Sequence, residues 1–457
     1  MHNNPLQNAC FRKLFLAQVT ALVGTGMSTV ALTLLAYDLA GAEAATILGT
    51  ALAIKMVAYV VFAPVVGGLV HHFSRKPFLV SMDLIRAAMV LAIPFADQLW
   101  QLYLLIFLLN LFSAGFKPVF AATIPEILPN ENQYTRALAY SRLAYDLENI
   151  LSPALAALAL LFANYTGLFM LNSATFLISA VLVGITTLPH QQDTQRLGST
   201  WQQVTFGIRA YLKTPRLRGL LALYMSVAAA SAMIIVNTVV YVREMLGGSE
   251  SDVAIALAAS GCGSMLAALS LPKLLEWITD RTIMLSGALL IIIGLASIAL
   301  SPGFEAVLLV WFLIGVGWSM IQTPAGRVVN RSSSPTDRSA YFSAQFSLSH
   351  AAWMIFYPLA GLLSTQLGIE ATALLLAISI LVFTGLAALL WPKYDEAILP
   401  HRHSEQLHSH LHRHDLHHDH LHEGWEGNEP HSHPHYHPQV EHVHDFVIDD
   451  HHVTWPK

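Results

Sequence analysis

The stretch GGLVHHFSRKPFLV, residues 67–80, is a short basic connection between two long apolar segments. Apolar residues dominate the rest of the chain as well: 54% of the 457 residues are hydrophobic and only 12% are charged. A soluble domain carries about 25% charged residues, and a chain this apolar cannot cover its surface with polar groups. Lipid accommodates such a composition, so the sequence predicts an all-α membrane protein.

Twelve apolar segments are long enough to cross a hydrocarbon core of about 30 Å as helices. They form two groups of six, which predicts a six-helix half at residues 1–188, a cytoplasmic linker at 189–218 and a second six-helix half at 219–391. The predicted spans lie near residues 14–37, 46–70, 78–96, 99–122, 138–162, 166–188, 219–242, 253–272, 282–300, 304–325, 340–363 and 368–391.

Lysine and arginine are concentrated in the termini and in alternate loops, which sets the predicted orientation. Loop 2–3 carries Arg75 and Lys76, whereas Arg243 is the one cation in the loops of the other set. By the positive-inside rule, both termini and the linker are cytoplasmic, in a bacterial inner membrane. Cys10 and Cys262 are too few for a disulfide framework or a thiolate metal site.

Residues 67–76 resemble the loop 2–3 signature of the major facilitator superfamily, usually written GxLaDrxGrk. Gly67, Leu69, Arg75 and Lys76 match that pattern, while His71 replaces its acidic residue. The resemblance implies two six-helix halves with a solute path between them near the bilayer midplane.

The same resemblance implies a gate on the cytoplasmic side. In the family the charges of this loop hold the two halves together, which assigns Arg75 and Lys76 to the gate. Asp83 and Arg86, three residues apart on one helical face, resemble the pair that follows the loop. We expect this pair to steady the gate rather than to contact the cargo.

Ionisable residues inside spans are costly in lipid, so each is a functional candidate. Glu148 lies about ten residues into the fifth predicted span, or ~15 Å deep, and has no basic residue three or four positions away. Lys55 and His350 lie at similar depths. We expect Lys55 to pair with a carboxylate, and His350 to be either a metal ligand or a polar group bonded across helices.

Two further polar residues flank Glu148 on the same helix. Asp146 is four residues from Arg142 on one face, so it either forms an ion pair along the helix or lines the path together with Asn149. The sequence carries no phosphate-binding loop, no nucleophile with a base and no basic face for nucleic acid. It therefore predicts a carrier driven by an ion gradient rather than an enzyme.

Residues 392–457 form a cytoplasmic tail in which histidine is concentrated, with 18 of the 23 histidines of the chain after residue 400. Imidazole binds zinc, copper, nickel and cobalt, and the tail lacks the sulfur ligands that copper(I) prefers. We predict a metal-binding tail without regular structure; a solvated tail with no metal role and a pH-sensing tail are the alternatives. The candidate ligands are His401, His403, His408, His410, His412, His414, His417, His418, His420, His422, His431, His433, His435, His437, His442, His444, His451 and His452.

The membrane core with this tail, and the run RALAYSRLAYDLENILSPALAAL at residues 136–158, resemble the nickel-resistance exporters of bacteria. That resemblance implies a carrier that exports Ni²⁺, with Co²⁺ as a second cargo, from cytoplasm to periplasm in exchange for H⁺. We also expect the carrier to be monomeric and to hold no permanently bound cofactor. One alternative is an exporter of an organic solute, such as a drug or siderophore, with a metal-sensing tail. Another is a protein whose tail buffers metal and for which transport is secondary.

Overall fold

The computed structural model describes residues 4–40, 44–189, 199–395, 398–403, 406–412, 431–437, 440–448, 452 and 454–456. Within these residues, eleven helices are long and apolar enough to cross a membrane. Taken as one span, Glu131–Ser152 and Ala154–Leu160, which meet at a bend of 43° around Pro153, make a twelfth. Proline has no N–H to donate along the helix and commonly causes such bends. The predicted all-helical membrane domain is confirmed.

The first half is a bundle of six helices that follow a short 3₁₀ turn at Pro5–Gln7. Two of the helices begin at asparagine caps: Asn130 accepts a hydrogen bond from the Gln133 amide, and Asn164 accepts one from the Gly167 amide. The helices are α1 (Ala9–Ala40), α2 (Ala44–Leu69), α3 (Arg75–Ala92), α4 (Leu99–Ile127), α5 (Glu131–Leu160) and α6 (Tyr165–Gly184).

The predicted linker contains a helix, α7 (Thr200–Lys213). Ser199 and Gln202 form a capping box that satisfies the first amides of this helix. One face of α7 is buried, and a Cβ on Gly207 would come within 2.3 Å of the Ala340 carbonyl oxygen. The linker thus packs closely against the second half. Residues 190–198 of the linker lie outside the described part of the chain.

The second half contains the remaining six spans. The first of these is helical from Pro215 to Met245 but changes to the wider π form in two places. The helical elements are α8 (Pro215–Ala232), a π segment at Met233–Asn237, α9 (Thr238–Val240), a π segment at Tyr241–Met245, α10 (Glu250–Leu274), α11 (Asp280–Ile298), α12 (Phe304–Arg331), α13 (Arg338–Leu367) and α14 (Ile369–Leu390).

The described residues of the tail include four short β-strands. Histidine alternates with other residues over much of this segment, and a period of two matches the alternation of a β-strand. The strands are β1 (Ile398–His403), β2 (Gln406–His412), β3 (His431–His437) and β4 (Val440–Asp445), with β1 antiparallel to β4 and β2 antiparallel to β3. The register sets histidine opposite histidine at His401/His442, His408/His435, His410/His433 and His412/His431.

Near its end the tail returns to the helical bundle. Phe446 and Ile448 are 3% and 2% exposed, and the Tyr341 hydroxyl donates to the Ile448 carbonyl at 2.7 Å. The Trp455 ring lies 5.3 Å from the Arg216 guanidinium. We call Phe446, Ile448 and Trp455 the docked segment. It holds the end of the tail against α8 and α13.

Basic residues from several loops meet at this same end of the bundle. Arg75, at the start of α3, and Arg338, at the start of α13, both pair with Glu126. Arg331 pairs with Asp395 at 2.7 Å, just beyond α14. We call this the basic end of the bundle, and the opposite one the far end. The convergence agrees with the alternate-loop pattern of charge in the sequence.

Candidate transport site between the halves

Glu148, Lys55 and His350 belong to one cluster near the middle of the bundle. Glu148 is on α5 and half-buried, Lys55 is on α2, and His350 comes from α13 in the other half. Lys117 on α4 and Lys55 both act electrostatically on Glu148, and both act on His350. The structure therefore brings together three of the predicted path residues, while the pairing of Lys55 with a carboxylate stays a prediction.

A buried tyrosine, Tyr59 of α2, holds this cluster in place. Lys117 Nζ donates to Tyr59 Oη at 3.1 Å, and the ammonium groups of Lys117 and Lys55 lie 5.0 and 5.8 Å from the centre of its ring. The ring centroids of Phe346 and His350 lie 4.9 and 4.8 Å from that of Tyr59. Tyr59 thus contacts cations on its own half and aromatic rings on the other.

His350 is oriented by the backbone of its own helix. Its Nδ1 lies 2.7 Å from the Phe346 carbonyl oxygen, and in the neutral ring this bond leaves Nε2 as an acceptor. The Trp353 ring lies 4.8 Å away, with the ring planes nearly perpendicular. Nearby, Ser347 Oγ donates to the Val60 carbonyl at 2.6 Å and joins α13 to α2. The histidine is thus fixed in a mainly aromatic environment.

Close packing of α1 against α5 brings a fifth helix to the cluster. A Cβ on Gly26 would lie 2.0 Å from Ser152 Oγ and 3.3 Å from Glu148 Cγ, so only glycine fits at this contact. The site is therefore lined by α1, α2, α4 and α5 from the first half and by α13 from the second. It contains one carboxylate and two ammonium groups. Across the described part of the chain, no group of three or more His, Cys, Asp or Glu side chains is arranged to hold a metal ion.

Asp146 lies outside this cluster, in a polar network that crosses between the halves. Arg142 pairs with Asp146 at 2.6 Å, which is the ion pair that the helical spacing predicts. Ser264 of α10 donates to Asp146 at 2.6 Å, and Arg142 donates to Ser264 at 3.0 Å and to Gln322 of α12 at 3.1 Å. Asn149, in contrast, is exposed on α5. Of the two alternatives for Asp146, the geometry favours the ion pair, with an added role in joining the halves.

The loop 2–3 cations Arg75 and Lys76 both lie at the basic end, as the predicted gate requires. Of the two, Arg75 takes part in a described link to the other half. Arg75 shares Glu126 with Arg338, which is 3.4 Å from that carboxylate and belongs to the other half. A Cβ on Gly67 would lie 2.4 Å from Ser343 Cβ on α13, so loop 2–3 also packs tightly across the interface. This end of the bundle is closed.

The other predicted gate residues bond within the first half. Lys76 Nζ donates to the Gly184 carbonyl at 3.3 Å. Arg86 and Asp83 form a buried pair, and Ser179 of α6 donates to Asp83 at 2.8 Å. The Arg86 guanidinium lies 4.1 Å from the ring centre of Phe116 and 4.5 Å from that of Phe176. The Asp83–Arg86 pair therefore joins α3 to α6 and packs inside one half rather than at the interface.

Sequence reasoning missed several residues of the site. Lys117 is visible as an ionisable residue within a span, and that signal identifies it once its packing is known. Tyr59, Ser264 and Gln322 give no such signal, because a tyrosine, a serine or a glutamine in a span is compatible with many environments. Their roles follow from contacts between helices far apart in sequence.

Comparison with known proteins agrees with this architecture. A family model described as Major Facilitator Superfamily matches residues 14–325 and 220–425. The chain belongs to the major facilitator superfamily. This confirms the family resemblance of loop 2–3 and makes the protein a membrane transporter. The closer resemblance to nickel-resistance exporters stays a prediction.

Relatives of this major facilitator protein include several bacterial proteins. An uncharacterized MFS-type transporter, YfiS of Bacillus subtilis, is 24% identical over 353 residues, which is 74% of this chain and 82% of the relative. Macrolide efflux protein A of Streptococcus pyogenes is 25% identical over 188 residues, 40% of this chain and 46% of the relative. Multidrug resistance protein MdtG of Enterobacter lignolyticus is 27% identical over 175 residues, 38% of this chain and 41% of the relative.

Solved structures show the same fold. The human organic anion transporter MFSD10 superposes with a TM-score of 0.72 at 12% identity, covering 83% of this chain and 99% of that protein. The Escherichia coli fucose:proton symporter FucP gives a TM-score of 0.67 at 16% identity, covering 84% of this chain and 98% of FucP. At these sequence identities the structural match shows a shared fold and nothing more.

Proposed function

We propose that this transporter is a proton-coupled exporter of nickel, with cobalt as a second cargo, which confers resistance to the metal. The observation that carries the proposal is the tail, where 18 of the 23 histidines lie. Imidazole is a good ligand for divalent nickel and cobalt, and the tail is attached to the bundle at the end where the gate closes. Metal captured by the tail is thereby held at high local concentration beside the transport path.

The site around Glu148 supports proton coupling. An ionised Glu148 offsets one of the two positive charges of Lys55 and Lys117 and attracts a cationic centre; a protonated Glu148 does neither. Proton binding and binding of a cationic centre therefore exclude each other at this carboxylate. A carrier with that property exchanges one for the other, which is antiport.

The charge pattern supports a definite orientation. The basic end carries the loops in which lysine and arginine are concentrated, and we propose that it faces the cytoplasm of a bacterium, with both termini on that side of the inner membrane. In the described conformation the Glu126 and Ser264 links then close the cytoplasmic end. We propose that the protein functions in the bilayer as a monomer.

A second candidate is export of an organic solute, and a specific observation favours it. Tyr59, Phe346 and Trp353 surround His350, so the site offers aromatic surface rather than a set of metal ligands. Two of the relatives carry names that denote macrolide efflux and multidrug resistance. On this alternative the tail senses or buffers metal while the core moves another cargo.

Accumulation measurements in cells separate the two candidates. Cells expressing the full-length chain or an empty vector are loaded with Ni, Co, Zn or Cu salts, or with a fluorescent organic dye, and cell content is followed over time. Nickel export predicts a lower steady content of nickel and cobalt in the expressing cells, abolished by a proton uncoupler. Unchanged nickel together with reduced dye would replace the first candidate by the second.

A further inference from the structure

The charges of the transport site do not suit a bare metal ion. Lys55 and Lys117 act on the same carboxylate, so with Glu148 ionised the three groups carry one excess positive charge. A dication entering alone meets two ammonium groups for one carboxylate, in a site whose other lining is aromatic. Such a site suits a cargo whose own negatively charged groups can bind the two lysines.

The lysines are placed to receive that negative charge. An ammonium group has three donors, and Tyr59 Oη takes one from Lys117 at 3.1 Å, which leaves two for a carboxylate. Lys55 approaches the same ring at 5.8 Å, so the two ammonium groups lie around one rigid, buried side chain. Tyr59 thereby holds two anion-binding groups on the wall formed by α2 and α4.

A wall of aromatic rings from α13, next to Tyr59, suits the flat part of such a cargo. The rings of Phe346 and His350 have centroids 4.1 Å apart, and Trp353 lies 4.8 Å from His350. Tyr59 completes the group at 4.8 Å from His350. Together these rings form the aromatic group against which a planar ring of the cargo would pack.

We propose that the cargo bound at this site is a neutral chelate: a divalent metal ion already coordinated by two small amino-acid ligands such as histidine. This deepens the proposed nickel export and rests on it. The metal centre faces Glu148, the two ligand carboxylates face Lys55 and Lys117, and the ligand rings pack on the aromatic wall. The coordination bonds of the chelate stay intact throughout.

The charges of the chelate balance without help from the protein. Two monoanionic amino-acid ligands cancel the charge of one dication, so the complex leaves water at a lower cost than a free ion does. Its charges are nevertheless separated, with the positive centre between two carboxylates. Protonation of Glu148 removes the attraction for that centre and releases the chelate, so the exchange with protons is preserved.

Dual-label transport by the full-length protein in liposomes tests the proposal. Proteoliposomes with an imposed pH gradient receive radiolabelled nickel either as the free ion or with excess radiolabelled histidine, and both labels are counted inside. We expect about two histidines to enter per nickel, and free nickel to enter at least tenfold more slowly. Lys117→Met is expected to lower chelate transport at least tenfold, Lys117→Arg to restore part of it, and Lys273→Met, at an exposed lysine of α10, to change nothing.

The outcomes distinguish failure of the chelate proposal from failure of nickel export. In one outcome, nickel supplied with histidine enters alone, at the rate of the free ion, and enters equally well in Lys117→Met. That result would overturn the chelate proposal and leave nickel export intact. Faster transport of the anionic nickel–citrate complex would overturn the neutral form of the cargo. If no nickel species moves, but the same vesicles transport an organic dye in response to the gradient, the proposed function fails as well.

Discussion

Replacing Ser264 by alanine removes two polar bonds that cross between the halves on the basic side of Glu148. The Ser264 hydroxyl donates to Asp146 at 2.6 Å and accepts from Arg142 at 3.0 Å, and the residue is 2% exposed. The ion pair between Arg142 and Asp146 remains in the variant, since both residues lie on α5. The substitution therefore weakens the contact between α5 and α10 with little effect on either helix.

The expected size of the effect follows from the charge of the partners. Hydrogen bonds to charged groups contribute about 1.5–3 kcal/mol each, and the two bonds of Ser264 together contribute about as much as one such bond, because Arg142 and Asp146 keep their own ion pair and Arg142 keeps Gln322 at 3.1 Å. These bonds stabilise the conformation in which the basic end is closed. Losing about 1.5–3 kcal/mol shifts the balance toward the open basic end by roughly 10- to 150-fold, since about 1.4 kcal/mol is a factor of ten.

Pulsed electron paramagnetic resonance measures this balance directly. Spin labels on Asn132 and Trp277, both exposed, report the distance between the halves at the basic end. Cys10 and Cys262, both free, are first replaced by serine. We expect the long-distance population to grow at least tenfold in Ser264→Ala.

A matched substitution on the same helix provides the control. Ser270 of α10 is exposed and bonds only to the Leu266 carbonyl of its own helix at 2.9 Å, as far as the described residues show. Ser270→Ala is expected to leave the distance distribution unchanged. If Ser264→Ala gives the same distribution as Ser270→Ala, the assigned role of the Asp146 network in holding the basic end closed is refuted.

Four further predictions concern the path, the tail and the orientation. Glu148→Gln is expected to abolish proton-driven transport while the protein still inserts normally, because the amide cannot exchange a proton. Transport assays compare this variant with Glu276→Gln, at an exposed residue. Normal transport by Glu148→Gln would remove Glu148 from the mechanism. Deleting residues 401–457 is expected to weaken nickel resistance without eliminating it, because the tail has no apolar span; complete loss at normal membrane levels would contradict this. Nickel binding by the isolated tail peptide is expected to weaken between pH 7.5 and 5.5, because protonation near the reference pKa of about 6.5 blocks the imidazole; calorimetry measures it, and no binding at pH 7.5 would exclude a metal-binding tail. A reporter fused after Lys457 is expected to be active in the cytoplasm, and activity confined to the periplasm would reverse the topology.

The helices were the most predictable part of the structure, because long apolar runs have one stable solution in lipid. The sequence also identified Glu148, Lys55 and His350 from the cost of placing such groups within a span. It did not show that these residues meet, because they lie on three helices separated by up to 295 positions in the chain. Only packing brings α2, α5 and α13 to one point.

Other features could not be predicted from the sequence pattern. The spacing of Asp83 and Arg86 predicted an ion pair correctly, but spacing along one helix cannot say which neighbours surround it. Helix α7 had a usable signal, since its buried residues include Phe206, Ala210 and Tyr211 at helical spacing. That signal is easily missed in a short polar connection between two groups of spans.

The docked segment makes the histidine-rich stretch a loop that is attached to the bundle at both ends. The chain leaves the bundle beyond Trp391, whose indole donates to Asp395 at 3.0 Å, and it returns at Phe446. Cleavage of the chain between β2 and β3 would therefore not release the downstream piece. That piece would stay bound through Phe446 and Ile448 until a change at Tyr341 frees it. Severed halves of the tail would then copurify, as two polypeptides of a single transporter.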